Sequence, residues 1–281
     1  MNTIQAEDVE NAVVEVQHEW RFSSEEKVRH SVFYSGFRDI NHGVTVGYHG
    51  ATYVTQDAGR TWTKGENEAN CRYGLDWYGD DYLWTVGNYG GNRVSLNGGT
   101  SLLPVTDLPL IDERPNNIVQ IIDLKSIWVG SPLNLAFSED AGYSWTYATL
   151  PQGVVEIEGV FMFSNGSGFL VGDTAAVFFT ADSGASWIEV GKIPVVTGIK
   201  NTDVPAVSLH FESNQVGKMV YLDKNQQNYA FETKDGGNSW QPVMMPKVER
   251  SAPYISDDGE TLTLVDSIGR LKIFSWSENI K

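Results

Sequence analysis

Cysteine is nearly absent from this sequence: Cys71 is the single thiol in 281 residues, so an internal disulfide is excluded. No apolar run approaches the roughly 18 residues that a membrane-spanning helix needs. Positive charge is scarce, with 20 Lys and Arg against 36 Asp and Glu and a net charge of −16. An acidic surface repels nucleic acid and anionic lipid. We therefore expect neither nucleic-acid binding nor membrane insertion.

Signatures of several site types are missing as well. The five His residues form no His-x-His or His-Glu-x-x-His pair, and there is no phosphate-binding loop. We expect no metal and no cofactor. The first eight residues lack the basic and apolar regions of a signal peptide. This favours a cytoplasmic protein, or an exported or particle-associated one if a leader precedes the sequence.

A short turn with the pattern Ser/Thr-x-Asp-x-Gly-x-Ser/Thr-Trp occurs four times, and a fifth copy at 95–102 has Asn97 for Asp and Leu102 for Trp. The copies recur at intervals of about 40 residues, which indicates one repeat array rather than two domains. A short Asp side chain can accept hydrogen bonds from the backbone of a tight turn, and Gly supplies a positive φ. The following Trp can anchor the next strand by packing. We assign this structural role to Asp57, Trp62, Asp140, Trp145, Asp182, Trp187, Asp235 and Trp240.

A second landmark is an apolar strand that ends at Gly. It lies about ten residues before the turns that contain Asp57, Asn97, Asp140 and Asp182. It predicts the second strand of each repeat. An additional apolar stretch at 11–17 has no repeat of its own, whereas the last repeat lacks a fourth strand. We therefore predict a single all-β domain over 1–281, a six-bladed β-propeller of four-stranded antiparallel blades whose ring is closed by the N-terminal strand. The predicted blades are 31–65, 70–106, 116–151, 157–191, 204–245, and 251–281 with 9–20; seven blades would need about one more repeat.

The repeated turn is the Asp-box, and the chain resembles the neuraminidase-repeat β-propellers that carry it. Residues 37–47 and 163–172 look like the repeat of photosystem II assembly and stability factors and their bacterial relatives. This resemblance implies that the Asp-box lies between the third and fourth strands, on the side away from the ligand. It also implies a non-catalytic assembly scaffold, which is the role of the photosynthetic members.

Propellers bind ligands mostly at an axial mouth, formed by the loops that lead into the innermost strands and by the turns between second and third strands. Basic residues recur in these lead-in loops, and Arg is suited to carboxylate or phosphate. Aromatic residues near the mouth could stack on a sugar or a partner side chain. Our candidate ligand-binding residues are Arg29, Arg72, Tyr73, Arg114, Lys200, Arg250, Tyr48, Tyr89 and Trp77. The alternative is that the basic residues pair with acidic residues of the same loops and that the aromatics only pack.

Two functions fit this pattern. The first is a non-catalytic binding or assembly propeller, expected to be a monomer, that recognises a protein or a carbohydrate through its axial face. The second is a sialidase-like glycoside hydrolase acting on an acidic sugar. We assign no catalytic residue, because the Arg-Ile-Pro signature of sialidases is replaced by Arg38-Asp39-Ile40 and there is no Gly-x-Ser-x-Gly elbow.

Overall fold

Six four-stranded antiparallel sheets make up the fold in this computed structural model. The innermost strand of each sheet contacts the innermost strands of its two neighbours, so the sheets form a closed ring around one axis. The prediction of an all-β, six-bladed propeller is confirmed. The structure describes residues 16–27, 32–65, 70–88, 91–105, 114–194, 198–199, 205–248, 251–266 and 269–280.

Strand β1 (Val16–Lys27) comes first, and blades 1 to 3 follow with their strands in order from the axis outward. Blade 1 consists of β2 (Val32–Phe37), β3 (Gly43–Gly47), β4 (Thr52–Thr55) and β5 (Thr63–Lys64). Blade 2 consists of β6 (Arg72–Tyr78), β7 (Tyr82–Gly87), β8 (Arg93–Ser95) and β9 (Leu103–Pro104). Blade 3 consists of β10 (Ile118–Ile121), β11 (Ile127–Ser131), β12 (Asn134–Ser138) and β13 (Thr146–Tyr147).

Blades 4 to 6 have the same order, except that blade 6 takes its outer strand from the start of the chain. Blade 4 consists of β14 (Ile157–Met162), β15 (Gly168–Gly172), β16 (Ala176–Thr180) and β17 (Ile188–Lys192). Blade 5 consists of β18 (Val207–Phe211), β19 (Gly217–Leu222), β20 (Asn228–Thr233) and β21 (Gln241–Val243). Blade 6 consists of β22 (Ser251–Ile255), β23 (Thr261–Asp266), β24 (Arg270–Ile280) and β1. Among the described residues, no helix is long and apolar enough to cross a membrane.

The ring is closed by antiparallel pairing of β1 with β24, in a register that runs from Val16 opposite Ile280 to Lys27 opposite Arg270. The predicted closure by the N-terminal strand is therefore confirmed. Residues 16 and 17 of the predicted stretch at 11–17 belong to β1, and residues 1–15 lie outside the described part. Trp20 anchors β1 in the core and is 1% exposed. Its indole fills the core between blades 5 and 6 and packs against Trp276 with ring centroids 4.9 Å apart.

Packing between neighbouring blades forms the core. The second strands are buried along their whole length in blades 1, 3, 4, 5 and 6, because both faces of each sheet are covered by the adjacent blades. Aromatic side chains fill the space between sheets. Phe169 of blade 4 stacks on Phe211 of blade 5 with centroids 3.8 Å apart, and Trp240 meets Phe211 edge-on. In blade 2, Leu102 takes the place of the Trp and is 4% exposed.

The Asp-box turns join the third and fourth strands, as the resemblance implies. In the four complete copies the Asp Oδ1 accepts the backbone N–H of the Ser or Thr four residues later at 2.8–2.9 Å, and Oδ2 accepts its hydroxyl at 2.6 Å. The Gly of each complete copy has φ between 74° and 89°. Asn97 makes a similar set of bonds, since its Oδ1 accepts the Ser101 N–H at 2.9 Å and its Nδ2 donates to the Ser101 hydroxyl.

We predict that Trp20→Ala destabilises the protein by about 3–5 kcal/mol, because it leaves a cavity where the ring is closed. Phe22→Ala, two residues along the same strand, is the matched control: Phe22 is 50% exposed, and its loss should cost about 1 kcal/mol or less. Urea unfolding measures both. Equal losses for the two variants would contradict a closing role for Trp20.

A second prediction concerns acid stability. Hydrogen bonds from the Ser144 hydroxyl and backbone lower the pKa of Asp140 below its ordinary 3.8. Ionised Asp140 therefore stabilises the folded protein fully at pH values above its ordinary pKa of 3.8. This contribution is lost as the pH falls through the lower pKa of the folded state. Asp140→Asn should keep the turn as Asn97 does and weaken the acid sensitivity, whereas Asp140→Ala should lower stability already at neutral pH. Urea midpoints between about pH 7 and 3 test this, and equal midpoints for the Asn and Ala variants would refute it.

Candidate functional site

An axial cavity of about 370 Å³ lies between the innermost strands, and all six of these strands contribute to its wall. The wall mixes apolar side chains such as Leu75 and Phe161 with polar ones. Its exposed members are Tyr78, Ser164 and Asp257, which lie at or just beyond the ends of innermost strands. The cavity therefore reaches solvent on the face that carries the Asp-box turns, which we call the Asp-box face.

In three blades, a side chain of the innermost strand binds the inner edge of the next blade. The side chains that accept a backbone N–H in this way are Asp76 from Ile121 at 2.7 Å, Gln120 from Met162 at 2.7 Å, and Ser208 from Ile255 at 2.9 Å. An innermost strand has no further strand on its axial side, so its N–H groups need such partners. This requirement explains why polar side chains are buried beside the axis.

Asp76 differs from the other two because it is a carboxyl group only 5% exposed. In addition to the Ile121 bond, its Oδ1 accepts the Tyr254 hydroxyl at 3.1 Å. Its side chain also shares a hydrogen bond with the carboxyl of Asp257, from the loop after β22. We call Asp76 and Asp257 the carboxyl pair. The pair lies in the wall of the axial cavity.

Both members of the carboxyl pair have pKa values above the ordinary value of 3.8. Burial raises the pKa of Asp76 to about 7, against hydrogen bonds that favour its charged form. Asp257 is exposed as a whole residue, but its carboxyl is surrounded by protein, and this desolvation, followed by the charge of Asp76, raises its pKa well above its usual range. Two carboxylates in contact cannot both ionise cheaply, so one of them remains protonated and donates to the other. Burial also raises the pKa of Tyr254 and Tyr34, which keeps both phenols neutral.

The spacing of the pair limits its chemistry. The two carboxyls of a glycosidase flank the sugar and water at a separation of about 5–9.5 Å, whereas Asp76 and Asp257 interact directly with each other. His210, also in the wall, is neutral because burial lowers its pKa to about 4. The described wall contains neither Lys nor Arg. Nor are any three His, Cys, Asp or Glu side chains of the described chain grouped as metal ligands.

The predicted mouth lies at the end of the axis opposite the Asp-box face. Arg72 lies at this end, but its side chain is buried between blades. Arg72 is fully buried, and its Nη1 donates to the Gly50 carbonyl and to the Thr52 hydroxyl. It therefore fastens blade 2 to the turn between the second and third strands of blade 1. This burial explains why its pKa is lowered to about 10. Its role as a ligand-binding residue stays a prediction.

Two of the predicted aromatics come together. Phe33 stacks on Tyr73 with centroids 5.4 Å apart and meets Tyr48 edge-on at 6.1 Å. Phe33 and Tyr73 occupy equivalent β-bulges near the starts of β2 and β6, and Tyr48 is 50% exposed. These rings form an aromatic cluster on the face of the lead-in loops, and a binding role for them remains a prediction.

The other candidates are not drawn into that cluster. Trp77 is 2% exposed and donates its indole N–H to the Gly36 carbonyl at 3.2 Å, between blades 2 and 1. Arg114 pairs with Glu156 at 2.7 Å, which matches the alternative of ion pairs within the lead-in loops. Burial, and then the charges of Glu156 and Asp173, raise the pKa of nearby Glu158 to about 7. The candidates outside the described residues are Arg29, Tyr89, Lys200 and Arg250.

Sequence reasoning did not single out the carboxyl pair. The available signal was a charged residue inside an apolar strand, since Asp76 lies between Leu75 and Trp77. Asp257 gave no comparable signal, because Asp257-Asp258-Gly259 reads as an ordinary turn. The contact between the two depends on ring closure, which brings blade 6 around toward blade 2.

Comparison with solved structures agrees with this fold. No protein-family model and no curated protein matches the sequence. The structure titled "YCF48 bound to D1 peptide" is 14% identical, covers 92% of this chain and 98% of its own, and superposes with a TM-score of 0.57. The chain shares its propeller fold. This match supports, at the level of fold, the resemblance to photosystem II assembly factors.

Other propellers match at similar levels. A GH74 xyloglucanase from Xanthomonas campestris is 17% identical with a TM-score of 0.56, and the match covers 86% of this chain but 44% of the enzyme. A chain of the Mitotic Checkpoint Complex is 11% identical with a TM-score of 0.60, and the match covers 98% of this chain and 96% of that one. Of these similar structures, YCF48 is bound to a D1 peptide, and the other propeller belongs to the Mitotic Checkpoint Complex.

The raised pKa values of the carboxyl pair predict how the stability of the protein depends on pH. Because the folded-state pKa values of both groups are raised above 3.8, the folded protein binds protons more tightly, and the pair lowers stability as the pH rises from about 4 toward 7. Asp257→Asn, whose amide can donate to Asp76 at any pH, should be more stable than the native protein at about pH 8 and similar at about pH 4.5. Urea unfolding at both pH values checks this.

Glu139→Gln serves as the control for that experiment, because Glu139 is an exposed carboxylate outside the cavity wall. A stability difference between Asp257→Asn and the native protein that does not change with pH would show that the two carboxyls are not coupled.

Proposed function

We propose that this propeller is a non-catalytic binding protein that holds a peptide segment of a partner protein in its axial cavity, entered from the Asp-box face. The observation that carries the proposal is the cavity itself: all six innermost strands build it, and it reaches solvent between exposed Tyr78, Ser164 and Asp257. Its volume of about 370 Å³ is at the lower end of the usual range for ligand sites. It suits one or two inserted side chains better than a long oligosaccharide.

The wall chemistry supports a peptide occupant. Asp76 and Gln120 are polar members of the wall, and apolar surface comes from Leu75 and Phe161. Sites of this kind combine apolar contact with a few placed polar groups that fix orientation. The peptide complex named in the YCF48 title adds support from a propeller of the same fold.

The alternative, hydrolysis of an acidic sugar, has less support. An acidic sugar needs cationic partners, and the described wall has no Lys or Arg. The carboxyls of Asp76 and Asp257 interact directly with each other, whereas the two carboxyls of a glycosidase stand on either side of the sugar. The matched GH74 xyloglucanase extends well beyond the part that this chain covers.

A displayed library of random dodecapeptides, panned on the folded protein, tests the proposal. We expect selected peptides whose binding is lost in Ser164→Trp, because a large side chain at this exposed rim position blocks the cavity. The matched control is Leu124→Trp, a change at an exposed loop residue of the same face that does not line the cavity. Peptides that bind both variants equally would contradict the axial site.

A panel of fluorogenic sialosides and uronides tests the alternative on the same preparation. We expect no turnover. Turnover of any substrate that is abolished in Asp76→Asn would overturn the non-catalytic assignment.

A further inference from the structure

We infer that a second cavity, between blades 5 and 6 where the ring is closed, binds a neutral carbohydrate through its hydroxyl groups. This seam cavity has a volume of about 550 Å³, which is within the usual range for ligand sites. No residue that lines it also lines the axial cavity, so the inference goes beyond the proposed function and does not depend on it. The wall of the seam cavity includes Lys218, Glu212, Glu260, His18, Glu232 and Trp276.

The seam cavity lies where an Asp-box turn is missing. In blades 3 and 4, the turn packs over the second strand of the blade before it: Gly142 lies against Trp84 of blade 2, and Gly184 lies against Trp128 of blade 3. Blade 6 has no turn at this place, because its outer strand β1 comes from the other end of the chain. The gap between blades 5 and 6 is therefore left without this cover on the Asp-box face.

Two side chains that face this gap are polar, whereas their equivalents in blades 1 to 4 are apolar and belong to the core. Lys218 takes the position of the second strand that contacts the next blade, and Glu232 lies opposite it on the third strand, directly before the Asp-box. The seam is therefore a polar pocket and not a continuation of the core. The apolar equivalents are Val44, Trp84, Trp128 and Phe169 on the second strands and Val54, Val94, Phe137 and Phe179 on the third strands.

Lys218 is buried without an acceptor for its N–H donors. It is 2% exposed, and its ammonium Nζ lies 4.2 Å from the centre of the Trp276 ring. Carboxylate oxygens of Glu212 and Glu260 lie 3.6 and 3.9 Å from Nζ, which is longer than a hydrogen bond. No described residue accepts a hydrogen bond from Nζ. Because a buried charged donor is costly to leave unpaired, this ammonium favours a ligand that brings an oxygen atom to it.

The charges of the wall favour a neutral oxygen. Four carboxylates line the seam cavity, and they repel a carboxylate or phosphate ligand. One hydroxyl can accept from Lys218 and donate to a carboxylate at the same time, which suits groups less than 4 Å apart. The C=O and N–H of a trans peptide bond point in opposite directions, so a peptide backbone is less suited to this pair. The four carboxylates are Glu212, Glu232, Asp258 and Glu260.

Aromatic rings complete the wall. His18 stacks on Trp276 with ring centroids 5.0 Å apart, and its Nδ1 shares a hydrogen bond with Glu232 at 2.5 Å. Such rings offer apolar surface to the C–H groups of a sugar. Glu212 and Glu260 are more than half exposed, so their side chains can turn aside and admit a hydroxyl to Nζ. The seam cavity thus combines donor, acceptor and apolar groups, and a sugar ring can use all three.

A glycan array with neutral and anionic glycans, probed with the fluorescently labelled protein, tests the inference. We expect neutral glycans to bind. In calorimetric titrations, a bound neutral glycan should have an affinity at least about tenfold higher than its uronic acid counterpart, in which a carboxylate replaces the CH₂OH group, because the wall repels that charge. In protein labelled with ¹⁵N at lysine, the neutral glycan should shift the Nζ resonance of Lys218.

Variants test the residues. Lys218→Met keeps the length of the side chain but removes its donors, and it should weaken glycan binding by about tenfold or more. We expect this variant to fold, because apolar replacement of a buried charge is often tolerated. Lys125→Met, at an exposed lysine outside the seam cavity, is the matched control and should change the affinity by less than about twofold. If Lys218→Met fails to fold, Glu260→Gln at its exposed position should still weaken binding.

An array without neutral glycans among its hits, as expected for a cavity that holds only water, would overturn the inference. Unchanged glycan affinity in Lys218→Met would do the same. Both results leave the axial site intact, because that site is tested by Ser164→Trp. Panned peptides whose binding is lost in Lys218→Met but kept in Ser164→Trp would assign the seam cavity to a peptide and so contradict a carbohydrate.

Discussion

The antiparallel pairing of β1 with β24 holds the ring together, and the remaining structure depends on it. Each blade is a sheet with two apolar faces, and both are covered only when a neighbour stands on each side. Without β1, blade 6 would lose its outer strand, and the core between blades 5 and 6 would lose Trp20. The backbone N–H of Trp20 also donates to the Met244 carbonyl of blade 5 at 2.9 Å, so the closing strand binds two blades at once.

Closure creates a second constraint at the axis, where six innermost strands present edges that have no further strand to pair with. Side chains from the preceding blade satisfy part of this need, through an amide at Gln120, a hydroxyl at Ser208 and a carboxyl at Asp76. A carboxyl in this place is buried for structural reasons. Its burial and its interaction with Asp257 then raise the pKa values of both carboxyls and make this structural position sensitive to pH.

The architecture was predictable because its signals are local. Each Asp-box turn is fixed within eight residues, and the bonds of Asp57 and Asp235 follow from the residue types in the turn. The number of blades followed from the repeat interval, and the closing strand from the missing fourth strand of blade 6. The predicted closing segment, 9–20, overlaps β1 from Val16 onward, and its first part lies outside the described residues.

The site was less predictable, because its members are far apart in the sequence. Asp76 and Asp257 come from blades 2 and 6, and the residues around each of them carry no pattern that predicts contact with the other. The basic residues of the lead-in loops recur with the repeat, but Arg72 at that phase points into the interface between blades 1 and 2. The position of a residue within the repeat therefore predicts where it lies along a strand. The direction and burial of its side chain depend on packing between blades.

Hydrogen–deuterium exchange of the protein, with and without a saturating panned peptide, tests the central claim that the axis is the binding site. We expect slower exchange at the axial ends of the innermost strands and their following loops, around Tyr78, Ser164 and Asp257, with the outer strands β5, β9 and β13 unchanged. Protection confined to the outer strands, or to the turn at Tyr48–Gly50 on the opposite face, would contradict the account.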